Sequence, residues 1–218
     1  MNTEFFKPVE PFGIYPMPIP ILPYKISFNI FLCLCCMLFG LLMGVVINEY
    51  AKKKWKRTHT FNIIIPTIAA GLLFFIFGLS VTALKGLIFC TLLLYATNSD
   101  LSTREVTNWI PLSIALTGLI GIDLTNIPFM LLAALFVTLP QLIVAIRKEN
   151  CYGGGDIKVS AACGFLLGIE KGILGLTAGL LLAVLCTLAI QRIKNRKAEA
   201  FPLIPYLAVG FMMVYLML

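Results

Sequence analysis

The stretch Gly153-Gly154-Gly155-Asp156-Ile157-Lys158 stands where an apolar run of the chain begins. Consecutive glycines give the backbone unusual freedom and let another chain approach it closely. A carboxylate at the edge of a hydrophobic segment is costly to keep there, and a functional role is its default interpretation. A second such carboxylate, Asp100, follows an earlier apolar run within Ser99-Asp100-Leu101-Ser102-Thr103-Arg104. We therefore hypothesise that Asp100 and Asp156 form one catalytic pair.

The composition predicts an all-α polytopic membrane protein. Of the 218 residues, 60% are hydrophobic and only 12% are charged, whereas about a quarter are charged in a typical soluble domain. Apolar runs of about 18 residues or more are typical of transmembrane helices. We expect about eight such helices, near residues 26–47, 62–79, 81–97, 108–122, 127–146, 157–168, 173–190 and 203–218.

The first 25 residues differ from the rest of the chain. They carry six prolines, which disfavour helix and favour extended or polyproline structure: Pro8, Pro11, Pro16, Pro18, Pro20 and Pro23. We expect residues 1–25 to form a proline-rich extracytoplasmic tail and residues 26–218 to form a membrane-embedded domain.

The basic residues predict the orientation. With the N-terminus outside, 13 of the 17 Lys and Arg residues fall in cytoplasmic loops, as the positive-inside bias requires. The largest group, Lys52 to Arg57, is interpreted as a solvated cytoplasmic loop, and Lys85 is assigned to the outside. This orientation puts Asp100 and Asp156 together at the cytoplasmic face.

Other kinds of site are disfavoured. The net charge of +7 is concentrated in short loops, so we do not expect nucleic-acid binding. Six of the seven cysteines lie in apolar segments and are interpreted as small buried hydrophobes, and Cys151 lies in a loop. The single histidine, His59, is interpreted as a solvated loop residue. We expect no metal and no cofactor.

Two adjacent carboxylates suit peptide hydrolysis. They cannot both ionise cheaply, so the pair shares a proton near neutral pH. The ionised member can remove a proton from water while the protonated member polarises the scissile carbonyl. Each residue also has a plain structural interpretation. Asp100 could simply end a helix in water at headgroup level, Gly153 to Gly155 could be a flexible loop, and Asp156 could cap the sixth helix.

The chain resembles the type IV prepilin peptidases and their archaeal preflagellin relatives, which are membrane aspartic proteases with a Gly-x-Gly-Asp motif. The resemblance covers most of residues 38–218. In the family's order, the segments that carry it are Phe39–Asn48, Asp100–Asn108, Gly153–Lys158 with Ala161–Gly168, and Phe201–Gly210. Thr107 stands where a proline is common in the family.

The resemblance implies Asp100 and Asp156 as catalytic residues. It implies a substrate in the membrane, a type IV pilin-like precursor with a short basic leader before a hydrophobic helix, cut at the cytoplasmic face of the inner or plasma membrane. Gly153, Gly154, Gly155 and Lys158 are expected to shape the loop or contact the substrate. Glu105 is expected either to contact the leader or to be a solvated acid. The precursor could be a pilin, a secretion pseudopilin or an archaeal flagellin.

One feature departs from the long members of that family. They carry a cytoplasmic insert with two CxxC pairs between the first two spans, associated with zinc and with methylation. Here the corresponding loop, about Glu49 to Phe61, contains no cysteine. The chain therefore resembles a short, peptidase-only form.

Two other functional classes remain open at the level of sequence. Paired carboxylates and glycine-broken helices also occur in ion-coupled transporters and channels. A non-catalytic assembly subunit of a pilus or secretion system is the second alternative. Retention of both costly aspartates disfavours it.

Overall fold

The computed structural model describes residues 23–56, 59–147, 153–194 and 202–218. Most of the proline-rich tail, Cys151 and parts of the basic loops lie outside these ranges. The described residues form eight α-helices and one short 3-10 helix, Leu124–Asn126. The α-helices are α1 (Pro23–Trp55), α2 (Phe61–Phe77), α3 (Val81–Thr103), α4 (Trp109–Gly118), α5 (Ile127–Arg147), α6 (Gly154–Leu167), α7 (Ile169–Lys194) and α8 (Ile204–Tyr215).

The architecture is an all-α membrane protein, as the composition predicts. Four helical segments are long and apolar enough to cross a bilayer: Phe31–Trp55, Val81–Thr103, Leu124–Arg147 and Ile169–Ile193. Three further apolar helices, α2, α4 and α8, are shorter. The number of spans, eight, and the orientation stay predictions.

Small residues hold two pairs of helices close together. On α1, a Cβ added to Gly40 or Gly44 would collide with the backbone of α2. Between α7 and α8, Gly175 and Gly179 lie against Gly210 and its neighbours in the same way. Because lipid tails are as apolar as leucine, such close backbone packing is a main source of association between helices in a membrane.

The third helix is the most enclosed of the four long ones, and it carries buried polar groups. Asn98 is 1% exposed and donates from Nδ2 to Oδ1 of Asn62 at 2.7 Å. Asn62, fully buried on α2, in turn donates to Asn48 of α1 at 3.3 Å. This chain of three asparagines ties α1, α2 and α3 together near the end of α3 that carries Asp100.

One prediction about the lysines is wrong, and a second lysine has a buried partner. The basic run is not wholly a loop, because α1 continues to Trp55 and includes Lys52 to Lys54. The ring contacts that Trp55 makes with α3 keep this polar end helical. Lys85 lies within α3, 6% exposed, and donates to the Gly118 carbonyl at 3.2 Å. A cation there complements the C-terminal end of α4.

Candidate active site

The sequence predicted Asp100 just past the end of the third helix, but the structure places it inside α3. The α3 helix continues to Thr103, because the polar residues after Thr97 find partners within the fold. Ser99 Oγ donates to the Glu105 carbonyl at 2.7 Å, and Thr103 Oγ1 donates to the Ser99 carbonyl at 2.9 Å. Arg104 then ends the helix in the left-handed conformation, with φ 55°. This reversal directs the following residues back alongside Asp100.

The carboxylate of Asp100 is held by the start of another helix. Asp100 is 6% exposed, and its Oδ2 accepts a hydrogen bond of 3.2 Å from the backbone N–H of Ile204. Ile204 is the first residue of α8, and Pro205 follows it, in the first turn where proline is well accommodated. The N-terminal N–H groups of a helix stabilise negative charge. The contact therefore offsets part of the cost of burying this carboxylate.

Asp156 occupies the first turn of α6, ahead of the apolar part of that helix. The residue that caps the helix is Gly153, not Asp156, and the Asp156 carboxylate accepts a hydrogen bond from the Gly153 backbone. This is one half of a capping box, in which the third helical residue reaches back to the cap. Burial, followed by the negative charge of Asp100, raises the pKa of Asp156 to about 6, and the bond from Gly153 opposes the shift.

The two aspartates line one cavity of about 260 Å³. All seven residues singled out in the sequence line it: Glu105, Gly153, Gly154, Gly155 and Lys158 together with Asp100 and Asp156. Arg104 and Val106 complete the wall. Asp100 near the end of α3 and Asp156 at the start of α6 thus line the same cavity although more than 50 positions separate them. A segment of peptide could enter this space.

The three glycines differ in their surroundings. A Cβ on Gly155 would lie 3.2 Å from Cβ of Val106, so this glycine lets the start of α6 pack against the loop after α3. A Cβ on Gly153 would lie 3.0 Å from Oδ2 of Asp156. A Cβ on Gly154 would meet nothing within 4 Å. Gly153 and Gly155 therefore serve the packing of the site itself, and Gly154 leaves its space open.

The charged residues at the rim are exposed. Lys158 Nζ donates to Oδ1 of Asn108 at 2.8 Å, which links the first turns of α6 to the residue before α4. Glu105 contributes its backbone carbonyl as the acceptor for Ser99 and Thr103. The role of the Glu105 side chain stays a prediction.

Sequence reasoning missed the contribution of α8. The motif Phe201–Gly210 was assigned to a closing span, and Pro205 marks the start of that helix. No local signal indicates that the N–H of Ile204 faces a carboxylate 104 positions earlier. Arg104 and Val106 were also missed, although both lie in the segment that carries the family resemblance.

The fold and the site define a multi-pass helical membrane protein with two carboxylates on one glycine-lined cavity. Residues 87–190 match the model of the type IV leader peptidase family. The matching segment includes both aspartates and the glycine loop, so the predicted resemblance is confirmed there. No curated protein and no solved structure matches the chain significantly.

Proposed function

We propose that this protein is a membrane aspartic endopeptidase that removes the short basic leader from type IV prepilin-like precursors. Cleavage would take place at the cytoplasmic face of the cytoplasmic membrane. The observation that carries the proposal is the cavity lined by both Asp100 and Asp156. The match of residues 87–190 to a leader peptidase family supports the same activity.

The two carboxylates can divide the work of hydrolysis. In the proposed division, Asp100, held by the Ile204 N–H, would act as the ionised member and take a proton from a water molecule as the water oxygen attacks the scissile carbonyl carbon. Asp156, which retains a proton up to about pH 6, would donate a hydrogen bond to the carbonyl oxygen. The tetrahedral intermediate would then collapse as the C–N bond breaks and a proton passes to the leaving amine.

The surroundings of the pair also suit a membrane substrate. The cavity opens among residues with exposed backbone and side chains, including Gly154, Glu105 and Lys158, so water can reach it. The apolar helix of a precursor would remain in the bilayer beside the spans while its leader enters the cavity. The open space over Gly154 would allow the substrate backbone to come close.

Coexpression with a candidate prepilin from the same genome tests the proposal. The wild type would be compared with Asp100→Asn and Asp156→Asn at matched membrane levels, with leader removal read by gel shift and N-terminal mass. Asp123→Asn is the matched control, because Asp123 is an exposed carboxylate just before the 3-10 helix, outside the cavity. We expect cleavage after a glycine by the wild type and the control, and a loss of about 100-fold or more in either site variant.

The alternatives give different results in the same experiment. A proton or cation pathway would lose ion coupling in the site variants without precursor accumulation. An assembly scaffold would tolerate either substitution. Undiminished cleavage by Asp100→Asn or Asp156→Asn would rule out the two-aspartate mechanism.

A further inference from the structure

Four aromatic rings meet beside the candidate active site. Tyr50 and Trp55 lie on the last turns of α1, Tyr95 lies on α3, and Trp109 begins α4. The ring centroid of Tyr95 lies 5.6 Å from that of Tyr50, 5.3 Å from that of Trp55 and 4.9 Å from that of Trp109. We call these four residues the aromatic cage.

The cage holds a cation. The Nζ atom of Lys54 lies 5.7 Å from the ring centroid of Tyr50, 5.1 Å from that of Trp55 and 5.5 Å from that of Tyr95. It also donates a hydrogen bond of 2.9 Å to the Tyr95 hydroxyl. The ammonium group thus lies among three aromatic rings and is hydrogen-bonded to one tyrosine hydroxyl, and aromatic surroundings of this kind recognise cationic ligands. The cage therefore has the chemistry of an ammonium-binding site.

The cage is built as a site rather than as a scattered belt of interfacial aromatics. Tyr95 at its base is 9% exposed, whereas Tyr50 and Trp109 at its rim are 48% and 42% exposed. The Lys54 side chain is itself exposed, so solvent can replace its contacts when it leaves. A cation from another molecule could therefore take its place.

The cage is continuous with the wall of the catalytic cavity. Val106 lines that cavity and Trp109 belongs to the cage, and three residues span at most about 10 Å. Between them, Asn108 accepts the hydrogen bond from Lys158, another residue of the cavity wall. A peptide bound across the two aspartates could thus place a basic residue a few positions away in the cage.

We propose that the aromatic cage is the subsite for a basic side chain of the substrate's leader, and that Lys54 occupies it until substrate displaces it. This inference rests on the proposed peptidase function. Lys54 acts in it as an internal competitor, so that a substrate without a cation gains nothing from the cage.

Intrinsic fluorescence offers a direct test. The chain contains two tryptophans, and both, Trp55 and Trp109, belong to the cage. The detergent-solubilised full chain would be titrated with a synthetic peptide that has lysines, a glycine and an apolar helix, and with the same peptide carrying glutamine for lysine. Labelling of Lys54 by an amine reagent would be followed by mass spectrometry in the same samples.

We expect the lysine peptide to change tryptophan fluorescence saturably and to increase Lys54 labelling, and the glutamine peptide to do neither. Lys54→Met should tighten binding of the lysine peptide by about three- to tenfold, because the competitor is gone. Tyr50→Leu, at the exposed rim, should weaken that binding by a similar factor and leave binding of the glutamine peptide unchanged. Equal responses to both peptides, or none, would overturn the proposal.

Cleavage of the two peptides separates the two ideas. Equal cleavage of the lysine and glutamine peptides, together with equal fluorescence responses, would contradict the cage subsite and still support the peptidase function. Lysine-specific binding without cleavage of either peptide would support the cage and count against the peptidase.

Discussion

The backbone N–H of Ile204 donates a hydrogen bond of 3.2 Å to Oδ2 of Asp100. A carboxylate at the end of α3 thereby satisfies an N–H at the start of α8, where four such groups have no partner within the helix. Asp100 consequently has two tasks, one in the packing of α8 and one, by proposal, in hydrolysis. Two substitutions can separate these tasks.

Asp100→Ala and Asp100→Asn should differ in stability but not in activity. The asparagine keeps an acceptor for the Ile204 N–H, whereas alanine leaves that buried donor unsatisfied at a cost of about 1–3 kcal/mol. We expect a lower Tm in detergent for Asp100→Ala than for Asp100→Asn, and no cleavage by either. Equal Tm values would mean that the hydrogen bond does not stabilise α8.

The rate of cleavage should fall as the pH rises above about 6. Burial and the charge of Asp100 raise the pKa of Asp156 to about 6, and above that value the pair would lose the proton that polarises the scissile carbonyl in the proposed mechanism. We expect kcat/KM to fall by about tenfold per pH unit on the alkaline side. The Tm, measured across the same range, would exclude unfolding as the cause. A profile that stays level to pH 8 would contradict a shared proton.

Asp156→Asn should stabilise the protein at neutral pH. Because the pKa of Asp156 is higher in the folded protein than in the unfolded chain, the folded state binds the proton more tightly. Its charge therefore lowers the free energy of unfolding increasingly as pH rises from about 4 to about 6, and fully above that range. The variant should exceed the wild type in Tm at pH 7.5, and the difference should vanish near pH 4. The Asp123→Asn control should show no such trend.

Alanine at Gly155 should lower stability, whereas alanine at Gly154 should not. In Gly155→Ala the new methyl would press on Val106 at 3.2 Å, and we expect a loss of about 1 kcal/mol in stability. In Gly154→Ala the methyl meets nothing within 4 Å, so the Tm should be maintained. If the substrate backbone passes over Gly154, the KM for cleavage should rise in this variant. An unchanged KM in Gly154→Ala would show that the substrate backbone does not use the space over Gly154.

The buried asparagines should be interdependent. Asn98→Leu removes the donor to the fully buried Asn62 and should cost about 0.5–2 kcal/mol. Replacing both by leucine removes donor and acceptor together. The double variant should then be more stable than the sum of the two single losses predicts. Strict additivity of the Tm changes would argue that the 2.7 Å contact carries no energy.

The sequence by itself determined the helical membrane class, the approximate positions of the helices and seven of the nine residues that line the cavity. These depend on local properties: the length of an apolar run, the conformational freedom of glycine, and the cost of a carboxylate such as Asp156 at the edge of such a run. Helix ends were less well predicted. The ends of α1 and α3 run on through polar residues because Trp55 and Asn98 find partners on other helices.

Only the tertiary structure decided which distant groups meet. Three contacts join residues 41 to 104 positions apart: the Ile204 N–H with Asp100, Val106 with Gly155, and Lys54 with Tyr95. Such contacts depend on how whole helices pack, and small residues such as Gly44 and Gly210 set that packing by the approach they allow. A pattern along the chain records which residues are able to take part in a site, and the packing of the helices determines which of them do.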